Sequence, residues 1–367
     1  ASGVFTSLLT QFKQQSKIAE TNIEGAIGLE ILRRDLESAG YGLAWNVDVD
    51  ADGDGNDWDR LVGYCEAVSD TSITPNPTTF NNGVSTDPCP TTVTAGTAPM
   101  AIRSGNNTGW NGADYLAIKS ATVATNVTAQ KWTHLMVGDV KKTWTPDCEN
   151  VNKDSDCTTN NTVRVIVISP GGSTAANTRS LITSSATTGV FFTQYRYTAD
   201  FDPSTGSTET YIVYGVDKDT DLRMPFNRAD YFIKGPATMP SACAPNTGIL
   251  YKGTLNHANG GITELPILDC VADMQVVFYL DTDSDGTIDA TQDDISALTA
   301  KDIRDQVKEI RVYILSHEGQ RDATYTYPNS TIVVGPNAAL GHTFDLGTNL
   351  NYRWKVYTIV VRPNNLR

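Results

Sequence analysis

The sequence lacks the long apolar runs and the basic charge that mark membrane-spanning and nucleic-acid-binding proteins. Its apolar runs, such as Val165–Ile168 and Ile359–Val361, are far shorter than the ~18 residues that a spanning helix needs. It has 28 basic residues against 42 acidic ones, which gives a net charge of −14. A chain this acidic offers no basic face to nucleic acid or to anionic lipid, so neither is expected as a partner.

The motifs of the common enzyme classes are also missing. The sequence contains no Gly-x-Ser-x-Gly elbow, phosphate-binding loop or dinucleotide-binding glycine pattern, and its four histidines are scattered. His317-Glu-Gly-Gln-Arg321 begins like the His-Glu-x-x-His zinc motif but ends in arginine, so a zinc site there is dismissed. We therefore expect a protein that is not an enzyme.

The abundant residues point to a β-rich protein with many loops. Of the 367 residues, 40% are hydrophobic, which is enough for a real core and excludes wholesale disorder. Threonine, serine and asparagine fill long stretches, together with 29 glycines and 16 prolines. The length suggests two or three structural units, or one domain with large insertions.

Six cysteines favour an oxidising compartment, which is the periplasm or the cell exterior. No pair has Cys-x-x-Cys spacing and no histidine lies at zinc-like spacing, so disulfides are favoured over a metal site. Six reduced cysteines in a cytosolic chain are the alternative, and six cysteines permit many pairings. Chain order suggests three local bonds: Cys65–Cys89, Cys148–Cys157 and Cys243–Cys270.

The first part of the chain, from about Ser2 to Ser38, shows the periodicity of one long amphipathic helix. Gly40 and Gly42 mark its end. A helix of this length would be roughly 55 Å long, so its front part is expected to pack against something outside the chain. An ordinary core helix with a frayed start is the alternative. The predicted assembly residues recur at three- and four-residue spacing: Val4, Phe5, Leu8, Leu9 and Phe12.

After Tyr41 the pattern changes to that of antiparallel strands. In Val307–Leu315, for example, Ile310, Val312 and Ile314 alternate with polar or aromatic residues. The predicted fold is α+β, with a long N-terminal helix packed on an antiparallel β-sheet domain that carries long disulfide-clasped loops. The predicted division is a helix over residues 1–40 and a β-rich globular domain over residues 41–367.

An acidic loop at residues 48–59 matches the twelve-position calcium loop. Carboxylates occupy positions 1, 3 and 5, glycine occupies position 6, and an aspartate rather than the longer glutamate occupies position 12. The register could also slip by two residues. Several carboxylates in one short loop repel each other unless a cation neutralises them, whereas a solvated acidic turn is the alternative. The predicted calcium ligands are Asp48, Asp50, Asp52, Asp54, Asn56 and Asp59.

A second acidic loop at residues 281–292 has the same opening. It carries the usual apolar residue at position 8, but position 12 is Gln292. Strand-like sequence lies beside both loops, so neither resembles a paired EF-hand, and both calcium ions are expected to be structural. The predicted ligands here are Asp281, Asp283, Asp285, Thr287 and Asp289. By contrast, Asp217-Lys-Asp-Thr-Asp221 lacks the glycine and is interpreted as a turn.

Several short segments resemble one known family in the same order along the chain. Leu32, Asp35, Leu36, Ala39, Gly40 and Tyr41 match a Leu-x-x-Asp-apolar-x-x-Ala-Gly-Tyr signature at the helix end. The later segments are Gly112–Ile118, Asp273–Tyr279 with the acidic turn after it, Ile310–Leu315 and Tyr352–Arg362. Together they resemble the minor pilins of the PilW type, which are type IV pilin-like proteins.

The resemblance implies a structural subunit of a type IV pilus. Its N-terminal helix would contact other pilin or pseudopilin subunits, and its β domain would be displayed at the cell surface. Ala1–Phe5 resembles the end of the family's apolar stretch, so an upstream segment that holds the subunit in the inner membrane before assembly is expected. The route to the surface would then run through the inner membrane and the periplasm.

Two other functions stay open from the sequence. A type II secretion pseudopilin of the GspJ type shares the design but belongs to a periplasmic assembly. A calcium-dependent surface adhesin or glycan-binding module would bind a surface ligand that the sequence does not identify.

Overall fold

The computed structural model describes residues 25–47, 64–83, 89, 98–138, 140–141, 163–171, 179–187, 189–236 and 238–366. Within them there are two α-helices, α1 at residues 25–37 and α2 at Ala300–Gln306. Single turns of 3-10 helix lie at Pro77–Phe80, Trp110–Gly112, Thr128–Gln130 and Ala199–Phe201. The strands are β1 (Asn46–Val47), β2 (Ile102–Gly105), β3 (Tyr115–Ser120), β4 (Trp132–Met136), β5 (Val140–Lys141), β6 (Arg164–Ser169), β7 (Ser180–Ile182), β8 (Thr193–Gln194), β9 (Tyr211–Asp217), β10 (Asn227–Lys234), β11 (Gly248–Leu255), β12 (Ile262–Leu280), β13 (Ala290–Gln292), β14 (Val307–Glu318), β15 (Thr331–Val334), β16 (His342–Asp345) and β17 (Arg353–Val361).

The strands form two large sheets and one hairpin. The larger sheet has eight strands in the order β17-β14-β12-β11-β10-β3-β2, with β13 paired to β12. The second sheet has seven strands in the order β1-β7-β6-β9-β4-β5, with β8 paired to β6. All pairs are antiparallel except the short parallel pair of β1 and β7. The hairpin of β15 and β16 stands apart from both sheets.

The predicted α+β fold, with a long N-terminal helix packed on a sheet, is wrong for the described residues. They are mostly β, and the part of the predicted helix that is described ends at residue 37 after only thirteen residues, 25–37. The reason lies in the body of the chain, where β-branched and aromatic residues with period-two alternation build strands as long as β12 and β14. Residues 1–24 lie outside the described residues, and the division at residue 40 stays a prediction.

The main hydrophobic core draws residues from α1 and from both large sheets. Leu32 and Leu36 of α1 are fully buried in it, together with Ile166 of β6 and Val276 of β12. The alternation predicted in β14 is present, because Ile310, Val312 and Ile314 all face this core. On the opposite face of the larger sheet, a second cluster lies beneath the β15-β16 hairpin. Its members include Val277, Tyr313, Leu315, Ile332 and Trp354.

Candidate functional site

Helix α1 packs closely on the larger sheet through small and apolar residues. Leu32 and Leu36 lie one turn apart and are fully buried, so each contributes roughly 1.5–3 kcal/mol of apolar transfer free energy. Gly28 allows the close approach, because a Cβ atom there would lie 1.9 Å from the backbone oxygen of Ile267 in β12. Any larger residue at position 28 would therefore push α1 away from the sheet.

A buried ion pair ties the same helix to the sheet at Asp35. The Asp35 carboxylate lies 2.5 Å from Nζ of Lys252 in β11, and the Tyr231 hydroxyl of β10 donates a hydrogen bond to it at 2.7 Å. Burial raises the pKa of Asp35 above its usual value, although the Lys252 ammonium lowers it. We call Leu32, Asp35, Leu36, Tyr231 and Lys252 the helix junction.

The end of α1 is held by the residues that complete the sequence signature. Gly40 has a φ of +79°, and its N–H donates a hydrogen bond to the Lys119 carbonyl at 2.9 Å. This left-handed conformation favours glycine and turns the chain away from the helix. Ala39 is fully buried, and the Tyr41 ring packs edge-on against Tyr214 of β9 at 5.4 Å between centroids. The signature thus positions the helix against both large sheets.

The outer face of α1 leaves apolar surface exposed. Ile27 is 62% exposed, and Ile31 follows one turn later on the same face. These two residues line a cleft of about 370 Å³ together with Leu265 and Pro266 of β12. Leu265 is itself 43% exposed, so the apolar strip continues from the helix onto the edge of β12. This apolar strip is a candidate surface for contact with another protein.

Several predicted site residues lie outside the described residues. They are the assembly residues Val4, Phe5, Leu8, Leu9 and Phe12, the first acidic loop with Asp48, Asp50, Asp52, Asp54, Asn56 and Asp59, and the cysteines Cys148 and Cys157. Their roles stay predictions.

The second acidic loop connects β12 to β13 as the turn of a β-hairpin. The carboxylates of Asp281, Asp283 and Asp285 come together, with one oxygen from each within 4.8 Å of the others. Asp281 is buried and accepts hydrogen bonds from the backbone N–H groups of Asp285 at 3.1 Å and Gly286 at 3.0 Å. Gly286 has a φ of +91°, which lets the loop curl tightly around the three carboxylates.

The rest of the loop is arranged differently from the twelve-position pattern. The Asp289 carboxylate accepts hydrogen bonds from the N–H and the hydroxyl of Thr282, at 3.0 and 2.8 Å, and closes the base of the hairpin. These bonds lower the pKa of Asp289. Thr287 donates its backbone N–H to Asp285 at 2.7 Å. Gln292, at the twelfth position, pairs with Phe278 in the hairpin. The strand register therefore places Gln292 two residues beyond the base of the turn, where Leu280 pairs with Ala290.

These residues fit a hard cation in chemistry and in spacing. Calcium takes six to eight oxygen ligands, and Asp281, Asp283 and Asp285 offer three carboxylates from one curled loop. The Lys308 ammonium lies 3.8 Å from Asp281, too far for a good hydrogen bond, so this side chain only partly balances the three negative charges. The remaining ligands would be backbone carbonyls and water.

Two of the three expected disulfide bonds are present in the structure, Cys65–Cys89 and Cys243–Cys270. His317 lies beside the second bond, where its Nε2 accepts the backbone N–H of Ala244 at 2.8 Å. Burial lowers the pKa of His317 to about 4, so the imidazole is neutral at physiological pH. Because both cysteine sulfurs near it are bonded to each other, this group is a structural cluster and not a metal site.

Sequence reasoning missed the two sheet residues of the helix junction. Tyr231 and Lys252 lie far along the chain from Asp35 and reach it only through the pairing of β10 with β11. The signal available in the sequence was Lys252 itself, a lysine inside an apolar stretch from Ile249 to Leu255. A buried lysine needs a carboxylate partner.

Among the described residues, none of the helices has the length and apolar composition required to cross a membrane.

Residues 230–365 match the family of type IV pilus-assembly protein W, PilW. The matched stretch runs from β10 past the end of β17 and includes Tyr231, Lys252 and the second acidic loop. The resemblance to PilW-type proteins that the sequence indicated is thereby confirmed. The match supports a pilin-like role related to the type IV pilus.

A search of solved structures finds similarity to a type IV-like pilin from Thermus thermophilus. The two chains are 17% identical, the aligned region covers 39% of this chain and 68% of that chain, and the TM-score is 0.22. No curated protein matches the chain significantly.

Proposed function

We propose that this chain is a structural, non-enzymatic subunit of a type IV pilus, a minor pilin of the PilW type. The observation that carries the proposal is the PilW match over residues 230–365. Those residues supply the strands on which α1 lies, including both sheet members of the helix junction, Tyr231 and Lys252. The part of the chain that matches the family model therefore includes residues that hold the helix on the sheet.

In this proposal, the N-terminal helix makes the contacts with other pilin subunits. The apolar strip of Ile27, Ile31 and Leu265 supports it, because exposed apolar surface gains free energy when a neighbour covers it. The predicted contacts of Val4, Phe5, Leu8, Leu9 and Phe12 would extend the same strip. Before assembly the subunit would be held at the inner membrane and in the periplasm, and afterwards it would be displayed on the pilus.

Complementation of a deletion strain tests this function. We expect that deletion reduces the number of surface filaments and that the wild-type gene restores it. Ile27→Asp should fail to restore filaments, because it places a charge in the apolar strip without disturbing the core. Val127→Asp is the matched control, since Val127 is 66% exposed, does not line the cleft beside Ile27 and should be tolerated.

Three results would contradict the proposal. An unchanged number of filaments in the deletion strain would contradict the proposed function in the pilus. Lost protein secretion with intact filaments would point to a type II secretion pseudopilin instead. Full restoration by Ile27→Asp would show that the strip on α1 is not an assembly surface.

We also propose that calcium binds as a structural ion at Asp281, Asp283 and Asp285. The clustering of three carboxylates supports it, with Lys308 at 3.8 Å as the cation found near them among the described residues, because like charges at this spacing repel each other. A second ion at the loop of residues 48–59 is proposed from the sequence pattern alone. Neither ion has a catalytic role in this proposal.

A further inference from the structure

A lysine of β3 meets an asparagine and a glutamate of the loop that the Cys65–Cys89 disulfide closes. The Nζ atom of Lys119 in β3 lies 2.5 Å from the side-chain oxygen of Asn82. The same Nζ lies 2.8 and 2.7 Å from the two carboxylate oxygens of Glu66. Lys119 and Glu66 are fully buried, whereas Asn82 is half-buried.

We propose that Lys119 and Asn82 form an intramolecular amide bond with loss of ammonia, and that Glu66 carries the protons for this reaction. The product is a cross-link between strand β3 and the loop of Asn82, through two residues that are 37 positions apart in sequence. It is independent of the pilus assignment, since it rests on these three side chains alone.

The nucleophile and the electrophile are close enough to react. Because a C=O bond is about 1.23 Å long, the Asn82 carbonyl carbon lies at most about 3.7 Å from Nζ of Lys119. Reacting atoms held near this distance gain much of the advantage of an intramolecular reaction. The backbone N–H of Met100 donates to the Asn82 side-chain oxygen at 3.1 Å and would stabilise negative charge that develops there.

The surroundings favour the neutral amine that the attack needs. Burial lowers the pKa of Lys119 to about 8, although the Glu66 carboxylate raises it. With this pKa, about one Lys119 in ten is neutral at pH 7. A desolvated lysine with a lowered pKa is an activated nucleophile.

Glu66 is placed to accept and return protons. Burial raises its pKa, but the charges of Lys119 and Arg228 outweigh burial, so the net pKa is lowered and the group rests as a carboxylate. The backbone N–H groups of Asn82 at 2.6 Å and Gly83 at 3.0 Å donate to the same carboxylate and hold the Asn82 backbone in place. Arg228 donates to Glu66 at 2.9 Å and remains its cation after the reaction.

The reaction balances without any oxidant or second reactant. Glu66 takes one proton from the Lys119 ammonium, and the nitrogen lone pair attacks the side-chain carbonyl carbon of Asn82. Glu66 then gives that proton to the asparagine nitrogen and accepts a second from the former lysine nitrogen as the old C–N bond breaks. The products are one new amide, one ammonium ion formed when the leaving ammonia takes the last proton, and the Glu66 carboxylate.

Intact-mass measurement of the reduced full chain tests the proposal. We expect a mass lower than that of the sequence by one ammonia molecule. Tryptic digestion should leave the bond after Lys119 uncut and should join the peptide that contains Lys119 to the peptide that contains Asn82. Lys119→Arg keeps a cation opposite Glu66 but lacks the reactive amine, so it should have the full mass and migrate more slowly in a denaturing gel.

Lys252→Arg is the matched control, because Lys252 is also a buried lysine paired with a carboxylate but its partner is Asp35. It should keep the cross-link. Glu66→Gln should lose the cross-link, and a cross-linked Glu66→Gln protein would contradict the role of Glu66. A folded wild-type protein with the full mass would overturn the bond itself. The bond would also be overturned if the loss of ammonia came from a succinimide at Asn82-Gly83 and trypsin cleaved after Lys119 as usual.

Discussion

The carboxylates around Arg228 and those of the β12-β13 turn have opposite surroundings. Glu66 and Asp230 are fully or almost fully buried, and the Arg228 guanidinium contacts both, at 2.9 Å and 2.7 Å. In the turn, Asp281, Asp283 and Asp285 lie together, with a single lysine at 3.8 Å as the cation found near them in the described structure. The Arg228 guanidinium thus neutralises Glu66 and Asp230 from within the chain, whereas in our proposal the three carboxylates of the turn take a calcium ion from solution.

The difference follows from desolvation. A buried carboxylate without a cation or hydrogen-bond donors is very costly, and for Glu66 and Asp230 the chain supplies the cation itself. In the turn, water screens the exposed carboxylates of Asp283 and Asp285, and backbone N–H groups donate hydrogen bonds to the buried carboxylate of Asp281. The four predictions that follow test this contrast, beginning with the largest expected effect.

Removing the buried guanidinium of Arg228 should lower the free energy of unfolding more than any other change considered. Arg228→Leu leaves Glu66 and Asp230 buried with no guanidinium, and we expect a loss of about 3–5 kcal/mol in the free energy of unfolding. Urea denaturation measures it. The matched control is Arg362→Leu, because Arg362 is 79% exposed in its pair with Glu309 and should cost about 1 kcal/mol or less. Equal losses in the two variants would contradict the contrast.

Removing the cation of the helix junction should lower the free energy of unfolding by an amount that depends on pH. Lys252→Met leaves Asp35 with the Tyr231 hydroxyl alone, and we expect a loss of about 3 kcal/mol at pH 8. The pKa of Asp35 is raised in the folded state by burial, so its protonated form stabilises the fold at low pH, and this contribution is lost as the pH rises through the folded pKa. The loss should therefore be smaller at pH 5.

Denaturation curves at the two pH values check this prediction. Lys301→Met removes the exposed partner of Asp305 and serves as control. A Lys252→Met loss that is the same at both pH values would show that Asp35 does not titrate in this range.

Calcium should raise the melting temperature. An ion that binds only the folded chain stabilises it by about 2.7 kcal/mol at a concentration of one hundred times its dissociation constant. Thermal melts with calcium, with magnesium and with chelator measure the shift. Magnesium should give a smaller one, because it demands a stricter octahedral geometry.

Two sets of variants assign the calcium effect to its loop. Asp283→Asn with Asp285→Asn should remove the part due to the β12-β13 turn, and Asp50→Ala with Asp52→Ala should remove the part due to residues 48–59. Asp219→Asn, in the turn that lacks the glycine, should leave the shift unchanged. A melting temperature that does not respond to calcium would contradict both proposed sites.

The smallest expected effect on stability concerns the pair of Asp273 and His342, because the histidine changes its charge with pH. Asp273 is buried, and its Oδ2 lies 2.8 Å from Nδ1 of His342; this hydrogen bond raises the pKa of His342. The pair stabilises the fold fully below the usual histidine pKa, and the contribution is lost as the pH rises through the folded pKa. His342→Gln should therefore cost about 1 kcal/mol or less at pH 5.5 and almost nothing at pH 8.5.

Urea denaturation at both pH values measures this difference, with His134→Gln as the control. A His342→Gln cost that stays constant or grows with pH would show that the imidazole is not charged in its contact with Asp273.

Strands with regular alternation could be predicted from the sequence. The alternation in Val307–Leu315 predicts a strand, and this segment lies within β14, which runs from Val307 to Glu318. The strand β17 (Arg353–Val361) is likewise rich in β-branched and aromatic residues. Their apolar faces are set by local sequence, since alternate residues must lie on one side of a sheet. The local pattern alone was therefore sufficient there.

Other strands and contacts depend on distant partners and could not be predicted. In β11, Gly253 interrupts the apolar pattern, yet a Cβ atom there would lie 2.6 Å from the Ile262 side chain. That requirement comes from the neighbouring strand. The segment Val190–Tyr197 is rich in β-branched and aromatic residues, yet its only strand is the two-residue β8. Likewise, strand register decides that Gln292 lies opposite Phe278 and away from the acidic turn.

The pilus assignment is tested most directly by electron microscopy of filaments labelled with an antibody against the β-rich part of this chain. The account predicts label on filaments of wild-type cells and none on those of a deletion strain. Unlabelled wild-type filaments, from cells in which the same antibody detects the folded chain, would contradict it.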